Sequence, residues 1–138
     1  MKRGFTLIES LVVMAIILVL SLLAFPNYRL GEKLFLLEQS SAQLAQDLRR
    51  AETLAMSAKE FHGIIPRGGY GIYLQSGGSS YILFADCNDP PNYQYDSAGI
   101  SCNGFSEKVE EVKLGSGVAI TSILPVSPLD IVFTAPAP

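Results

Sequence analysis

Glu9 makes the strongest chemical demand in this sequence. It is the one acidic residue in an otherwise apolar run, FTLIESLVVMAIILVLSLLAF from Phe5 to Phe25, which follows Lys2, Arg3 and Gly4. A charge on a membrane-buried helix costs roughly 2.5–3.5 kcal/mol on insertion scales, and it usually marks function. An ion pair contributes little in water. In an apolar medium the Coulomb attraction grows several-fold, while an unpaired charge is penalised. Glu9 therefore reads as a functional residue, one that needs a partner wherever it is buried. The plainer reading places it shallow, among lipid headgroups.

Three further groups could do chemistry. Cys87 and Cys102 are the only cysteines. A disulfide between them would close a ring worth about 3 kcal/mol by chain entropy; two free thiols is the alternative. Asp86, Asn88, Asp89 and Asp96 could offer oxygens to Ca²⁺, with Asp86, Asp89 and Asp96 as the candidate ligands. The string does not match an EF-hand loop, because its glycine and terminal glutamate are missing, and Asn and Asp are ordinary turn residues. His62 is the only histidine. With the two cysteines it makes at most three zinc ligands of mismatched spacing, so it reads as a helix-terminus residue. No nucleophile elbow, phosphate loop or Cys–His pair is present. The expectation is a protein that is not an enzyme, with no cofactor beyond the calcium candidate.

The elements that must position these groups begin with the apolar run. Phe5 to Phe25 is 21 residues, ~31 Å of helix and a match to a bilayer core. Lys2 and Arg3 would hold the N-terminus in the cytoplasm and export the rest, cysteines included. The formal charge is −3, and −5 once Lys2 and Arg3 are removed. Such a surface does not suit nucleic acid, which needs clustered Lys and Arg.

Lys2-Arg3-Gly4-Phe5-Thr6-Leu7-Ile8-Glu9 resembles the class III signal of type IV pilins and type II secretion pseudopilins. The resemblance implies that a prepilin peptidase cuts after Gly4 and methylates the new amine of Phe5. It further implies that the apolar segment stays on the mature chain, and that Glu9 meets the Phe5 amine of a neighbouring subunit. Pro26 corresponds to a proline of that family, 21 residues past the first mature residue. The block Leu44 to Ala55 is similar to the helix of minor pseudopilins of the GspH/FimT kind. The implied partners are other pilin or pseudopilin subunits, the prepilin peptidase, the inner-membrane assembly platform and the membrane itself. The implied location is the cytoplasmic (inner) membrane, single-pass with the C-terminal domain outside, and then a filament in the periplasm or at the cell surface.

The fold class expected is α+β, a long N-terminal helix on a small antiparallel sheet. Residues 1–4 are the leader, 5–30 the transmembrane and filament-core helix, and 31–62 an amphipathic helix. Residues 63–138 form the β domain, with a variable loop at 86–104. Pro26 predicts a kink or an unwound turn between Ala24 and Gly31. Leu34, Leu37, Ser41, Leu44, Leu48, Ala51 and Ala55 recur at steps of three and four, and the small residues suit packing on a sheet. Asp47 and Arg50 fall on the opposite, polar side. The helix is expected to end near Phe61-His62, capped by Gly63. Gly69–Gln75 and Ser79–Ala85 predict strands joined by a hairpin at Ser76-Gly77-Gly78. Val109–Leu114 is ambiguous between helix and strand; Val118–Ile123 and Asp130–Ala135 predict strands. In the GspH/FimT group a glycine and further strands often follow such a segment, so a shortened C-terminus is expected. Two further roles fit the same sequence: a pilus-tip subunit for DNA uptake or adhesion, and a plain signal-anchored exported domain.

Overall fold

A computed structural model of the chain describes residues 6–99 and 101–135, apart from the side chains of 24–30. Helix α1 (Leu7–Met56) precedes strands β1 (Gly69–Leu74), β2 (Ser80–Asp86), β3 (Lys108–Lys113) and β4 (Leu129–Phe133). The strands form one antiparallel sheet in the order β3-β2-β1-β4. The architecture is α+β. Contacts divide the chain into two compact units, Met1–Leu36 and Leu37–Pro138, with the division inside α1.

In the first unit the backbone stays helical through Pro26. The unwound turn expected there does not occur. A proline removes one hydrogen bond, but its fixed φ is itself helical, so a single residue need not break the helix.

In the second unit the C-terminal part of α1 lies on one face of the sheet. Ala51 and Ala55 are buried, with Leu44, Leu48 and Leu54 packed against the same cluster. Two expectations change here. Ser40, not Ser41, is the buried serine, and its hydroxyl accepts the Gly115 N–H at 3.0 Å. Asp47 turns towards the sheet and accepts the Tyr81 hydroxyl at 2.6 Å. Arg50 reaches Glu110 of β3 at 2.7 Å. These polar residues are recruited because the sheet offers partners that helical periodicity cannot reveal. Burial and the Asp47 contact push the Tyr81 hydroxyl pKa well up, so it remains a donor at any ordinary pH.

The helix also ends earlier than expected, at Met56. Ala58 has φ 45°, Lys59 N–H bonds to the Leu54 carbonyl (3.1 Å), and Ala58 N–H bonds to that of Ala55 (3.0 Å). That pair of bonds is a Schellman cap. Gly63 instead belongs to a two-residue reversal, Phe61 to Ile64, in which His62 and Gly63 both take positive φ. His62 is therefore a turn residue, not part of the last helical turn. An alanine in the left-handed region costs roughly 1 kcal/mol that glycine does not. Ala58→Gly should therefore raise the stability of the second unit by about 1 kcal/mol, measured as a higher melting temperature. An unchanged or lower value would show that the cap carries no strain.

The hairpin of β1 and β2 forms as expected, and β4 occupies most of the predicted last strand. The ambiguous segment is β3. Its register against β2 shifts between Leu83 and Phe84, with Glu110 opposite Leu83 and Lys108 opposite Phe84, so Val109 is the extra residue of a bulge. The bulge explains why Val109 and Val112 keep a three-residue step within a strand. Val118–Ile123 is not a strand. Only Ile120 makes ladder-like bonds, accepting from Gly77 N–H (2.6 Å) and donating to the Gly78 carbonyl (2.9 Å). Gly117, at φ 80°, turns the chain just before it, and Pro125 lacks a donor just after.

Tyr70, Ile72, Leu74, Tyr81, Leu83 and Ala85 point to the helix side of the sheet and carry the core. Gly71, Tyr73, Phe84 and Asp86 alternate to the other face. There Phe84, fully buried, lies across Gly71: a Cβ at that glycine would come within 2.8 Å of the ring.

Candidate functional site

Two places carry the residues singled out by the sequence. The first is the start of α1. The Thr6 carbonyl accepts the N–H groups of Glu9 (3.1 Å) and Ser10 (3.2 Å), so Glu9 sits in the first helical turn. A carboxylate there is favoured by the helix dipole, typically by 0.3–1 kcal/mol. Glu9 is exposed, and among the described residues its carboxylate has no side-chain or backbone partner. Gly4 and Phe5 lie outside the described residues, and Pro26 is described only as backbone.

Beyond Thr6, Glu9 and Ser10, which share one face of the first turn, the helix is apolar on every side from Leu11 to Leu20. Leu7 (83% exposed), Ile8, Leu11, Val12, Val13 and Met14 are all open. Consecutive residues on a helix point about 100° apart, so from Leu11 to Leu20 no face is polar. The polar interruption at Ser21 is closed internally, its hydroxyl donating to the Ile17 carbonyl at 2.8 Å. Leu11, Ala15 and Val19 form one four-residue ridge, Val12, Ile16 and Leu20 the next, and a shallow apolar groove runs along them. A groove between such rows accepts the ridge of another helix. Among the described residues no helix is long and apolar enough to cross a membrane; Leu7 to Leu23, with side chains described, covers ~25 Å.

The second place is the loop between β2 and β3, which covers the sheet face opposite the helix. Cys87 and Cys102 are joined by a disulfide with Cα atoms 5.1 Å apart. Inside the ring, Tyr95 packs on Tyr73 (5.2 Å between centroids) and on Phe84 (5.6 Å). The backbone of the loop is tied down by carboxylates. Asp86, fully buried, accepts Asn88 N–H at 3.1 Å and Tyr93 N–H at 2.7 Å. Glu107, also 0% exposed, accepts Asp96 N–H at 3.0 Å and the Ser101 hydroxyl at 2.7 Å. Asp130 of β4 accepts Tyr95 N–H at 3.2 Å. A loop without ladder bonds must satisfy its buried donors elsewhere, and these carboxylates do so. Gly68 is required beside Asp86, because a Cβ there would collide with the Asp86 side chain.

Asp86 and Asp96, two of the calcium candidates, are thus spent on the loop. Asp96 accepts the side-chain amides of Asn88 (2.8 Å) and Asn92 (2.9 Å). Asp89, the third, points outward to Arg67 at 2.8 Å. Among the described residues no three potential metal ligands gather. His62 stacks on Phe105 (4.2 Å, 10° between planes), and its carbonyl accepts the Asn103 amide at 3.2 Å. The reversal at Phe61–Ile64 thereby docks on a second one, Cys102-Asn103-Gly104-Phe105.

Burial pushes the Glu107 carboxyl above the ordinary glutamate range, against the lowering effect of its Ser101 and Asp96 bonds. Asp130 is raised by burial in the same way. A group whose folded pKa is raised stabilises the fold at low pH, and that contribution is lost as pH rises through the folded value. Wild-type stability should therefore fall from pH ~4.5 upward relative to Glu107→Gln. The glutamine is uncharged; its carbonyl can accept Asp96 N–H and its amide can donate to Ser101 Oγ. Thermal melts of both proteins across pH check this, and a constant difference between them would contradict it.

A family model described as the prokaryotic N-terminal methylation motif matches residues 1–25. No curated protein and no solved structure matches the chain. The motif supports a type IV pilin-like or pseudopilin subunit, a structural rather than enzymatic kind of protein. In general terms it implies contact with other pilin subunits and with a prepilin peptidase.

Proposed function

We propose that the chain is a filament subunit, a pseudopilin or minor pilin of a type II secretion or type IV pilus machine, most like the GspH/FimT kind. It is made as a single-pass protein of the inner membrane with its β domain outside. A prepilin peptidase cuts after Gly4 and methylates the amine of Phe5. The subunit then leaves the bilayer for a filament in which the apolar helices form the interior. The observation that carries this reading is Glu9, without a side-chain partner among the described residues, in the first turn of a helix whose next turns, Leu11 to Leu20, are apolar all round. A lone carboxylate is costly in an apolar interior, and the cation that can reach it there is another copy's terminal amine. Registers that miss the pair leave Glu9 buried and unpaired, so the contact fixes the stagger between subunits. A repeated head-to-tail contact of this type builds a helix, not a closed ring.

The reading is tested by the mass of the mature N-terminus in a host that has the peptidase. The expected product starts at N-methylated Phe5. An intact Met1, or a terminus generated near Ala24, would overturn it.

A further inference from the structure

The hydroxyls of α1 are of two kinds. Ser21 donates to the Ile17 carbonyl, Ser41 to that of Glu38 and Thr53 to that of Arg49, each at 2.8 Å. Each closes on the turn before it, which is how a helix hides a hydroxyl from an apolar medium. Ser10 does not do this. Among the described residues its Oγ has no partner.

The reason is local. The carbonyl that Ser10 Oγ would reach, that of Thr6, already accepts two N–H groups, from Glu9 at 3.1 Å and from Ser10 itself at 3.2 Å. A carbonyl oxygen has two lone pairs, so this one is full. Thr6-Leu7-Ile8-Glu9 also spells a capping box, in which the Glu9 carboxylate would reach back to the Thr6 N–H. The box is open: Glu9 N–H bonds to the Thr6 carbonyl, and the carboxylate has no partner among the described residues. Thr6, Glu9 and Ser10 thus present two hydroxyls and a carboxylate on one exposed face, at spacings i, i+3 and i+4.

We infer, on the filament reading proposed above, that Ser10 is the second acceptor for the amine that reaches Glu9. A chain terminus carrying one N-methyl group keeps two N–H donors. Glu9 supplies the countercharge and takes one of them. Ser10 Oγ takes the other and donates its own O–H to Thr6 Oγ1, one turn back. No donor is then left bare in an apolar interior, where an unmade bond is costly. Two acceptors side by side also fix the direction from which the amine arrives, which a single carboxylate leaves open.

Full-length variants in a host that has the prepilin peptidase test this, read as the fraction of processed subunit found in sheared filaments. Ser10→Ala should lower that fraction by about one to two orders of magnitude, the weight of a hydrogen bond to a charged group. Ser10→Thr keeps the hydroxyl and should restore it. Ser21→Ala removes a hydroxyl already closed on its own helix and should match wild type. Normal incorporation of Ser10→Ala while Glu9→Ala is excluded would overturn the inference and leave the filament reading standing. An equal loss in Ser21→Ala, or no rescue by Ser10→Thr, would overturn it as well. Normal incorporation of Glu9→Ala would remove the filament reading and the inference together.

Discussion

Glu9→Ala should leave membrane insertion intact and cut incorporation into filaments by about two to four orders of magnitude. The magnitude follows from breaking a buried ion pair on one side, which costs roughly 3–5 kcal/mol because the remaining charge is stranded. Here the stranded group would be the Phe5 amine of a neighbour. Insertion should become easier, since the alanine removes a cost of roughly 2.5–3.5 kcal/mol from the apolar helix. The opposite signs separate assembly from targeting. Glu9→Gln keeps the length and the hydrogen-bonding capacity but not the charge, and it should also fail to assemble. Comparing the variant's abundance in sheared filaments with that in membranes reads the effect. Normal incorporation of either variant would show that the carboxylate is dispensable.

The second large effect is expected at the disulfide. Replacing Cys87 and Cys102 together by alanine should destabilise the second unit by about 3 kcal/mol, from loop-closure entropy alone. For a unit of this size that corresponds to a fall in melting temperature of about 12–24 °C. The reason is visible in what the ring holds. Tyr95 covers Phe84 and Tyr73, and the backbone between the cysteines is fixed by Asp86, Glu107 and Asp130 rather than by a ladder. Opening the ring lets water reach those carboxylates and the face they cover. A melting temperature within about 3 °C of wild type would mean that the carboxylates alone organise the loop.

Much of this was legible in the residues. Glu9 in an apolar run, the alternation in Gly69–Gln75 and the glycine hairpin each carry a local physical signature, and the first two strands lie within a residue of their predicted bounds. The helix end differs from the expected one because Gly63 and His62 look like a cap, whereas Ala58 adopts the left-handed cap conformation that alanine seldom takes. Asn103-Gly104 is a strong reversal signal set inside an otherwise irregular stretch. The structural roles of Asp47, Glu107 and Asp130 have no local sequence signature. Their partners are a tyrosine on β2 and backbone N–H groups of a loop, and only the folded chain brings these together. The strand expected at Val118–Ile123 does not form: Ala119 and Ser122 break the alternation, and the hairpin loop offers one bridging position, at Ile120.

The central claim is that the charge on Glu9 is met by the terminal amine of another copy. Filaments assembled from two pools, one labelled with ¹⁵N at Phe5 and the other with ¹³C at the Glu9 carboxylate, put the two nuclei on different molecules. Solid-state NMR dipolar recoupling should then place them within ~4 Å, ion-pair distance. Filaments that assemble normally yet show no transfer between the pools would contradict the account.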